Sequence, residues 1–285
     1  MELERAVEDA VVDMLREAVT TIPPDVQDAL RAAERAETSE VARTQLATVL
    51  LNMREAEERG IPLCQDTGVP VFFLTGRMFP GLEESIRRGL ARATEEIPLR
   101  PNAVHPLTRR NPGNNLGEGS PRIVYRPTDD GFLDVTVMPK GAGSENMSAL
   151  AMLTPAQGLR GVKEFVLETV ARAGGRPCPP TIVGVGIGGT ADQAAELAKE
   201  SLLRPLDVPN DDEQLDALEG ELAEALNCLG VGPMGLGGRT TVLGVRCAMA
   251  YCHTASLPVA VNLQCWAARR ASRRIFADGR TERRQ

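Results

Sequence analysis

Between a long helical run and an apolar strand the chain carries Leu63-Cys64-Gln65-Asp66-Thr67-Gly68. A thiol, an amide, a carboxylate and a hydroxyl stand on consecutive residues, closed by a glycine that permits a tight turn. Any fold of this chain must bring a helix end and a strand start to one place and leave this polar turn between them. The turn is compatible with an incidental cysteine or with a chemical site. The choice depends on whether the rest of the chain supplies partners for Cys64 and Asp66.

Upstream, Leu3, Val7, Val11, Leu15 and Val19 recur at helical spacing and share one face. Pro23-Pro24 ends that helix and opens the next, 25–36. Thr38 or Ser39 caps a third helix, which runs to Gly60. Downstream, the pattern predicts a strand over 69–74 and a helix over 81–96. Residues 97–121 form a long stretch dense in Pro, Asn, Gly and Arg, and loops of that length inside a compact domain are often functional. It holds Arg100, Arg109, Arg110 and His105, the last read as a loop residue. Strands over 123–125 and 133–138 flank the turn Asp129-Asp130-Gly131.

The second of these runs into Pro139-Lys140-Gly141-Ala142-Gly143-Ser144-Glu145-Asn146. Its glycines let the backbone approach a ligand, its consecutive amides can receive an anion, and Lys140 adds a positive charge. A plain glycine turn is the alternative. A helix over 155–173 then leads to Gly174-Gly175-Arg176-Pro177-Cys178-Pro179-Pro180, where three prolines stiffen the backbone around a thiol. An apolar strand over 181–187 and a helix over 191–203 follow. Gly184, Gly186 and Gly189 fit the dinucleotide pattern GxGxxG, but two of the three lie inside the strand rather than in the turn after it. A helix over 211–225, a glycine-rich connection over 230–238 and a strand over 242–249 complete the pattern. The expected fold is mixed α and β: an N-terminal helical segment, 1–60, and an α/β region with glycine-rich loops, 61–285.

Composition limits the function. Aromatic residues make up 3% of the 285, so the core is built from Ala, Val, Leu and Ile, with few stacking platforms for single-stranded nucleic acid. The net charge of -7, with no basic face before the Arg-rich tail at 269–284, argues against nucleic acid as a partner. That tail reads as a solvated end or a partner contact. The first fifteen residues are acidic and amphipathic, unlike a secretory leader, and no apolar run approaches the roughly 20 residues of a membrane span. A cytoplasmic protein with reduced cysteines is expected.

Of the six cysteines, Cys64, Cys178 and Cys265 stand where a polar turn meets a buried element. Cys228 and Cys247 read as small core residues, and Cys252, beside His253, is ambiguous. Three widely spaced thiols match neither a zinc finger nor the compact run of ferredoxins. They suit either a [4Fe-4S] cluster with one iron lacking a protein ligand or three unrelated core positions.

Four motifs weigh on that choice: CQDTG, KGAGSENMSAL, CPPTIVGVGIGGT and HTASLPVAVNLQCWAARR, in this order. Together they resemble the alpha subunit of the two-subunit class I fumarases, iron–sulfur hydro-lyases related to L-tartrate dehydratase, over almost the whole chain from about Gly60. The resemblance implies reversible hydration of fumarate to S-malate at a [4Fe-4S] cluster held by Cys64, Cys178 and Cys265. It implies that Gln65, Asp66, Arg100, Lys140 and Gly143 bind a small dicarboxylate, and that His253 and Asp66 form a proton relay. It also implies a separate beta subunit carrying the rest of the pocket, an α2β2 assembly, and inactivity of this chain alone. Leu257 stands where single-chain relatives have an extra cysteine, which points to Cys265 as the third ligand. Cys252 replaces a family arginine and is left out of the site. L-tartrate or another small diacid is the alternative substrate, and an iron–sulfur sensor with a fully ligated cluster is the non-enzyme alternative.

Overall fold

The structure, a computed structural model, describes residues 2–284. The chain divides into two compact units. One is built from the segment ending at Pro23, Asn52–Ala142 and the segment from Arg269; the other from Pro24–Leu51 and Gly143–Ala268. The fold is mixed α and β with helices at its N-terminus, as expected. Those helices, α1 (Glu2–Thr20), α2 (Pro24–Ala36) and α3 (Glu40–Arg59), are shared between the two units. Ser39 caps α3 by accepting the Ala42 amide at 3.4 Å, and Gly60 ends it at φ 62°.

The first unit is a five-stranded sheet with α1 and α4 (Leu82–Glu96) packed on it. Its strands are β1 (Val69–Gly76), β2 (Arg122–Pro127), β3 (Phe132–Lys140), β8 (Ala271–Phe276) and β9 (Thr281–Arg284), in the order β2-β1-β3-β8-β9. β2 runs parallel to β1, while β3 is antiparallel to it, so β2 and β3 flank β1 instead of pairing with each other. Val7, Val11, Leu15 and Val19 of α1 are fully buried against Phe72, Leu74, Val135 and Val137 of the sheet and Ile86 and Leu90 of α4. Each such side chain contributes about 1.5–3 kcal/mol by leaving water. The two helices cross closely because position 89 is glycine: a Cβ there would stand 2.8 Å from the Glu8 carbonyl oxygen.

β8 and β9 show that 269–284, read as a solvated end or a partner contact, is largely built into the sheet of the first unit. Several of the arginines there are paired within that unit. Arg274 forms a two-bond pair with Asp134, both at 2.7 Å, and lies 3.5 Å over the Phe132 ring; Arg273 meets Glu17 at 2.6 Å.

The second unit is a four-stranded sheet, order β4-β7-β5-β6, from β4 (Ala149–Leu153), β5 (Thr181–Gly188), β6 (Val242–Ala250) and β7 (Leu257–Gln264). β5 and β6 are parallel and the other pairs antiparallel. Val183 and Val185 face α6 (Gly158–Ala173) and α8 (Glu213–Asn227) in one core. Gly184 and Gly186, alternating with them, lie under α7 (Ala191–Ser201), where an added Cβ would collide with the Ala198 and Ala194 carbonyl oxygens. Close helix–strand packing thus accounts for these glycines. β4 carries no sequence signal of its own, since its half-buried positions are Ala149, Ala151 and Leu153 and its alternate positions are exposed. Among the described residues no helix is long and apolar enough to cross a membrane.

Glu37 ties the second unit together from a position 1% exposed. Burial disfavours its charge, but the amides of Ser39, Arg239 and Thr38 outweigh this and hold its carboxyl below the usual range. The bonds are short: 2.8 Å from Thr38, 3.0 Å from Ser39 and 2.8 Å from Arg239. A depressed carboxyl pKa contributes stability that is present above the unfolded value, about 4.5, and lost as pH falls through the folded one. Glu37→Gln should therefore lower the thermal midpoint at neutral pH, corresponding to about 1–3 kcal/mol. The gap from wild type should close as pH drops below that range. A gap that persists unchanged in acid would contradict this account.

Candidate active site

In the first unit the turn at 64–68 is fixed from both sides. The Leu63 amide donates to the Val19 carbonyl at 2.9 Å, and Asn52 Nδ2 donates to the Leu63 carbonyl at 2.9 Å. At the other end Gly68 has φ 82° and lies so near the Pro139–Lys140 peptide that a Cβ would stand 2.6 Å from the Pro139 carbonyl carbon. The DTG glycine is thus required by a left-handed φ and by a close backbone approach. This brings the sequence-predicted Cys64, Gln65 and Asp66 beside the Lys140-Gly141-Ala142 turn, within one unit.

Asp66 spends every polar group locally. Its amide donates to Cys64 Sγ at 3.4 Å; Oδ1 accepts the Gly68 amide at 2.9 Å and Oδ2 the Ala142 amide at 2.8 Å. Its carbonyl accepts Arg269 Nη1 at 2.7 Å. Ala142 opens α5 (Ala142–Glu145), so part of the stretch expected as a glycine loop is a single helical turn, and Lys140, 4% exposed, is the last residue of β3. Gly141 is the position that needs no side chain: a Cβ there would lie 3.3 Å from Asp66 Oδ2 and 3.5 Å from Arg269 Nη2.

The long stretch 97–121 wraps this turn. Thr67 Oγ1 accepts the Arg100 amide at 3.1 Å, and Asn102 Nδ2 donates to the Gly68 carbonyl at 3.1 Å. Asn115, 2% exposed, accepts the Asn102 amide at 2.7 Å and donates to the Arg100 carbonyl at 3.2 Å. Arg100 thereby has a pinned backbone while the residue itself is exposed, and Gln65 in the turn is exposed too. His105 is a loop residue as read, its Nδ1 accepting the amides of Leu107 and Thr108 at 3.2 Å.

In the second unit Cys178 has φ 55°, in the left-handed region uncommon for a residue with a side chain. Its carbonyl accepts the Trp266 amide at 3.2 Å, and the Pro179 carbonyl accepts the Met234 amide at 2.8 Å. Cys178 and Cys265, the neighbour of Trp266, are therefore brought together. A Cβ on Gly143 would stand 3.5 Å from the Arg176 carbonyl oxygen, on the same loop as Cys178. Two residues on, Glu145 holds Lys199 at 2.5 Å and Asn262 at 3.0 Å.

His253 is exposed at the end of β6, with Nδ1 accepting the Ala255 amide at 3.1 Å. In the neutral ring this places the proton on Nε2. It is one of the residues lining a cavity of about 470 Å³ whose walls, among them Leu159, Val162, Leu215 and Met249, are largely apolar.

The cysteines fall into distinct environments. Cys64, Cys178 and Cys265 are half-buried, Cys228 and Cys252 exposed, and Cys247 buried. Cys228 corrects the reading of a core residue: it ends α8 at the surface. Burial, and next the Glu219 charge, push the Cys247 thiol up to about 12, so it stays protonated and inert. Among the described residues no three His, Cys, Asp or Glu side chains gather closely enough to hold a single metal ion. A cluster asks for something else, one thiolate on each of several irons, with hydrogen bonds to sulfur setting its potential. In the first unit Cys64, already accepting an amide N–H, and in the second unit Cys178 and Cys265 are half-buried thiols on loop ends, each a sulfur donor of the kind such iron takes.

Residues 8–274 match the family described as fumarate hydratase (Fumerase). The chain belongs to this family. A protein of Methanocaldococcus jannaschii provisionally named L(+)-tartrate dehydratase subunit alpha is 50% identical over 282 residues, 96% of this chain and 99% of its own length. The L(+)-tartrate dehydratase subunit alpha of Escherichia coli is 36% identical over 91% of this chain and 87% of its own. A Geobacillus stearothermophilus protein provisionally named fumarate hydratase class I is 36% identical over 92% of this chain, but the match spans 53% of that longer protein. Family members are hydro-lyases, and this chain is one of their enzyme chains.

Sequence reasoning missed Arg269, Asn102 and Asn115. Asn102 and Asn115 lay in a stretch flagged only for its length and composition, and Arg269 was counted with the tail although it lies inside the fourth motif, HTASLPVAVNLQCWAARR. Gly68→Ala should cost about 2–3 kcal/mol from overpacking and the positive φ. A thermal midpoint equal to wild type would mean that the backbone approach at Pro139 is not fixed.

Proposed function

We propose that this chain is the alpha subunit of a [4Fe-4S]-dependent fumarate hydratase, interconverting fumarate and S-malate with a separate beta subunit in an α2β2 assembly in the cytoplasm. The observation that carries this reading is Asp66, whose amide and Oδ1 brace the Cys64 turn while Oδ2 accepts the Ala142 amide and so ties that turn to Lys140-Gly141-Ala142. Thiol, carboxylate and cation are thus held on one small surface, as a site for an anionic substrate beside a cluster requires.

Cys64, Cys178 and Cys265 would hold the cluster, which supplies a Lewis-acidic iron that eases loss of hydroxide from carbon. The chain's own residues do the rest. Arg100, Gln65, Lys140 and the backbone at Gly143 receive the two carboxylates of the substrate, favouring the extended dianion over monoacids. Removing a proton beside a carboxylate moves charge onto that carboxylate, and donors already in place there stabilise it without reorganising. His253 exchanges a proton through Nε2, its ring held by the Ala255 amide. Asp66 completes the proton relay and fixes the turn; the general base that removes the carbon-bound proton is assigned to the beta subunit.

A second reading, dehydration of L(+)-tartrate, is favoured by the names of the Methanocaldococcus jannaschii and Escherichia coli relatives. S-malate and L(+)-tartrate differ by one hydroxyl and carry the same two carboxylates, so the same anion-binding set serves both. The deciding experiment is anaerobic iron and sulfide reconstitution with the beta partner, followed by assays on fumarate, S-malate and L(+)-tartrate. Fumarate hydration requiring both partner and cluster is expected. Turnover of tartrate alone would replace the first reading by the second, and failure to take up a cluster would end both.

Two sets of variants sharpen this. Cys64→Ser, Cys178→Ser and Cys265→Ser should each lose cluster iron while Cys228→Ser keeps it; full iron in any of the first three removes that ligand. His253→Asn should retain the cluster and lower kcat by roughly 10²-fold or more. Wild-type turnover would leave His253 as a structural residue.

A further inference from the structure

Arg269 is 2% exposed, among the most buried large side chains of the chain. A guanidinium out of water needs its donors satisfied and its charge compensated. Here one donor, Nη1, is placed on the Asp66 carbonyl at 2.7 Å, and Nε meets no acceptor among the described residues. So costly a burial calls for a reason beyond packing. The neighbours supply it: the Cβ position of Gly141 lies 3.5 Å from Nη2 on one side and 3.3 Å from Asp66 Oδ2 on the other, so the guanidinium fills the space beside a residue that has no side chain.

We infer that Arg269 is a positioning residue for the hydro-lyase reaction, clamping the Asp66 backbone at its carbonyl so that the residue's N–H stays on Cys64 Sγ and its carboxylate stays on the Gly68 and Ala142 amides. The residue is held through its N–H, its carboxylate and its carbonyl. The Gly68 and Ala142 amides fix Oδ1 at 2.9 Å and Oδ2 at 2.8 Å, while the N–H to Cys64 Sγ, at 3.4 Å, is the longest of the set. The N–H lies in the Gln65–Asp66 peptide and the carbonyl in the Asp66–Thr67 peptide, so Arg269 acts on the N–H···S bond through the residue between them. With carbonyl and carboxylate both held, the Asp66 backbone cannot turn, and the long N–H···S bond is the first to break once the carbonyl is released. A charge-assisted bond to a carbonyl suits this task, because it fixes an orientation without neutralising the cation. The role assigned to Arg269 in catalysis rests on the hydro-lyase reading above; the clamp on the turn does not.

The test separates the two. In the metal-free full-length chain, alkylation of each cysteine by iodoacetamide is followed by mass spectrometry for wild type, Arg269→Met and Arg269→Lys. Methionine keeps much of the volume without a donor to the carbonyl; lysine keeps the charge but not the planar fork. Cys64 should react about tenfold faster in Arg269→Met and by a smaller factor in Arg269→Lys, with Cys178 and buried Cys247 unchanged. Unchanged Cys64 rates overturn the clamp. Acceleration of Cys64, Cys178 and Cys247 together in both variants also overturns it, since it shows a general opening. In the reconstituted holoenzyme with the beta partner, the same variants should lose iron faster in air and lower kcat with KM nearly constant. A wild-type holoenzyme that turns over neither diacid, while Cys64 alone responds in the metal-free chain, would remove the hydro-lyase reading and leave the clamp standing.

Discussion

Only a hydrogen fits between Gly68 and the Pro139–Lys140 peptide, and that approach decides where the polar turn of the first unit ends up. β1 begins at Val69, paired with Lys140 at the end of β3, so the first residue of one strand and the last of the other are register partners. The turn before β1 and the turn after β3 must then emerge side by side. Asp66 joins them because its side chain is short enough to cap its own turn at Gly68 and still reach the Ala142 amide. The sheet register, a property of backbone pairing, thus places a thiol, a carboxylate and a buried lysine together without any of them having to drive the fold.

The second unit reaches a comparable result by other means. Cys178 occupies a left-handed conformation that costs about 1 kcal/mol or more and persists only because its surroundings enforce it. The Trp266 amide, on the residue after Cys265, supplies part of that enforcement, so the strained thiol and the second thiol of this unit are fixed by one hydrogen bond. Cys247, by contrast, sits in β6 under α8 with nothing to react with. Thiols of one chain are thereby sorted into accessible and inert by backbone placement and burial, which is why counting cysteines says less than locating the turns that carry them.

Much of this was legible in the sequence, for physical reasons that vary by element. The period of Val7, Val11, Leu15 and Val19 identified α1 because one face of it is wholly buried. The four polar motifs were legible as motifs because apolar elements bound them on both sides. β4 was not, since its small half-buried residues carry no contrast with a loop. β8 and β9 were hidden by their arginines, whose charges are offset by Glu17 and Asp134, residues more than a hundred positions away. Arg269 was hidden for the same reason, as one arginine among many, and only its burial separates it from the others. Asn115 was masked differently: an asparagine in a Pro- and Gly-rich stretch reads as a turn residue, and its four-way bonding to Thr94, Arg100, Asn102 and Ala103 exists only once the stretch has wrapped.

A chain of net charge -7 needs its positive potential to be local if it is to receive a dianion. How its arginines are partnered shows how this is met. Arg246 is also buried, but there Glu219, which it shares with Arg204, stands 3.0 Å away. Arg92 on the surface is cancelled by Glu8 at 2.8 Å and Asp9 at 2.7 Å. Arg269 instead donates to a backbone carbonyl, which takes a proton donor without contributing a formal negative charge. Its positive charge stands beside the Asp66 carboxylate at the Cys64 turn. The bond that fixes the Asp66 carbonyl thus also places a buried cation at that turn, so part of the turn's order and part of its electrostatics come from a single residue.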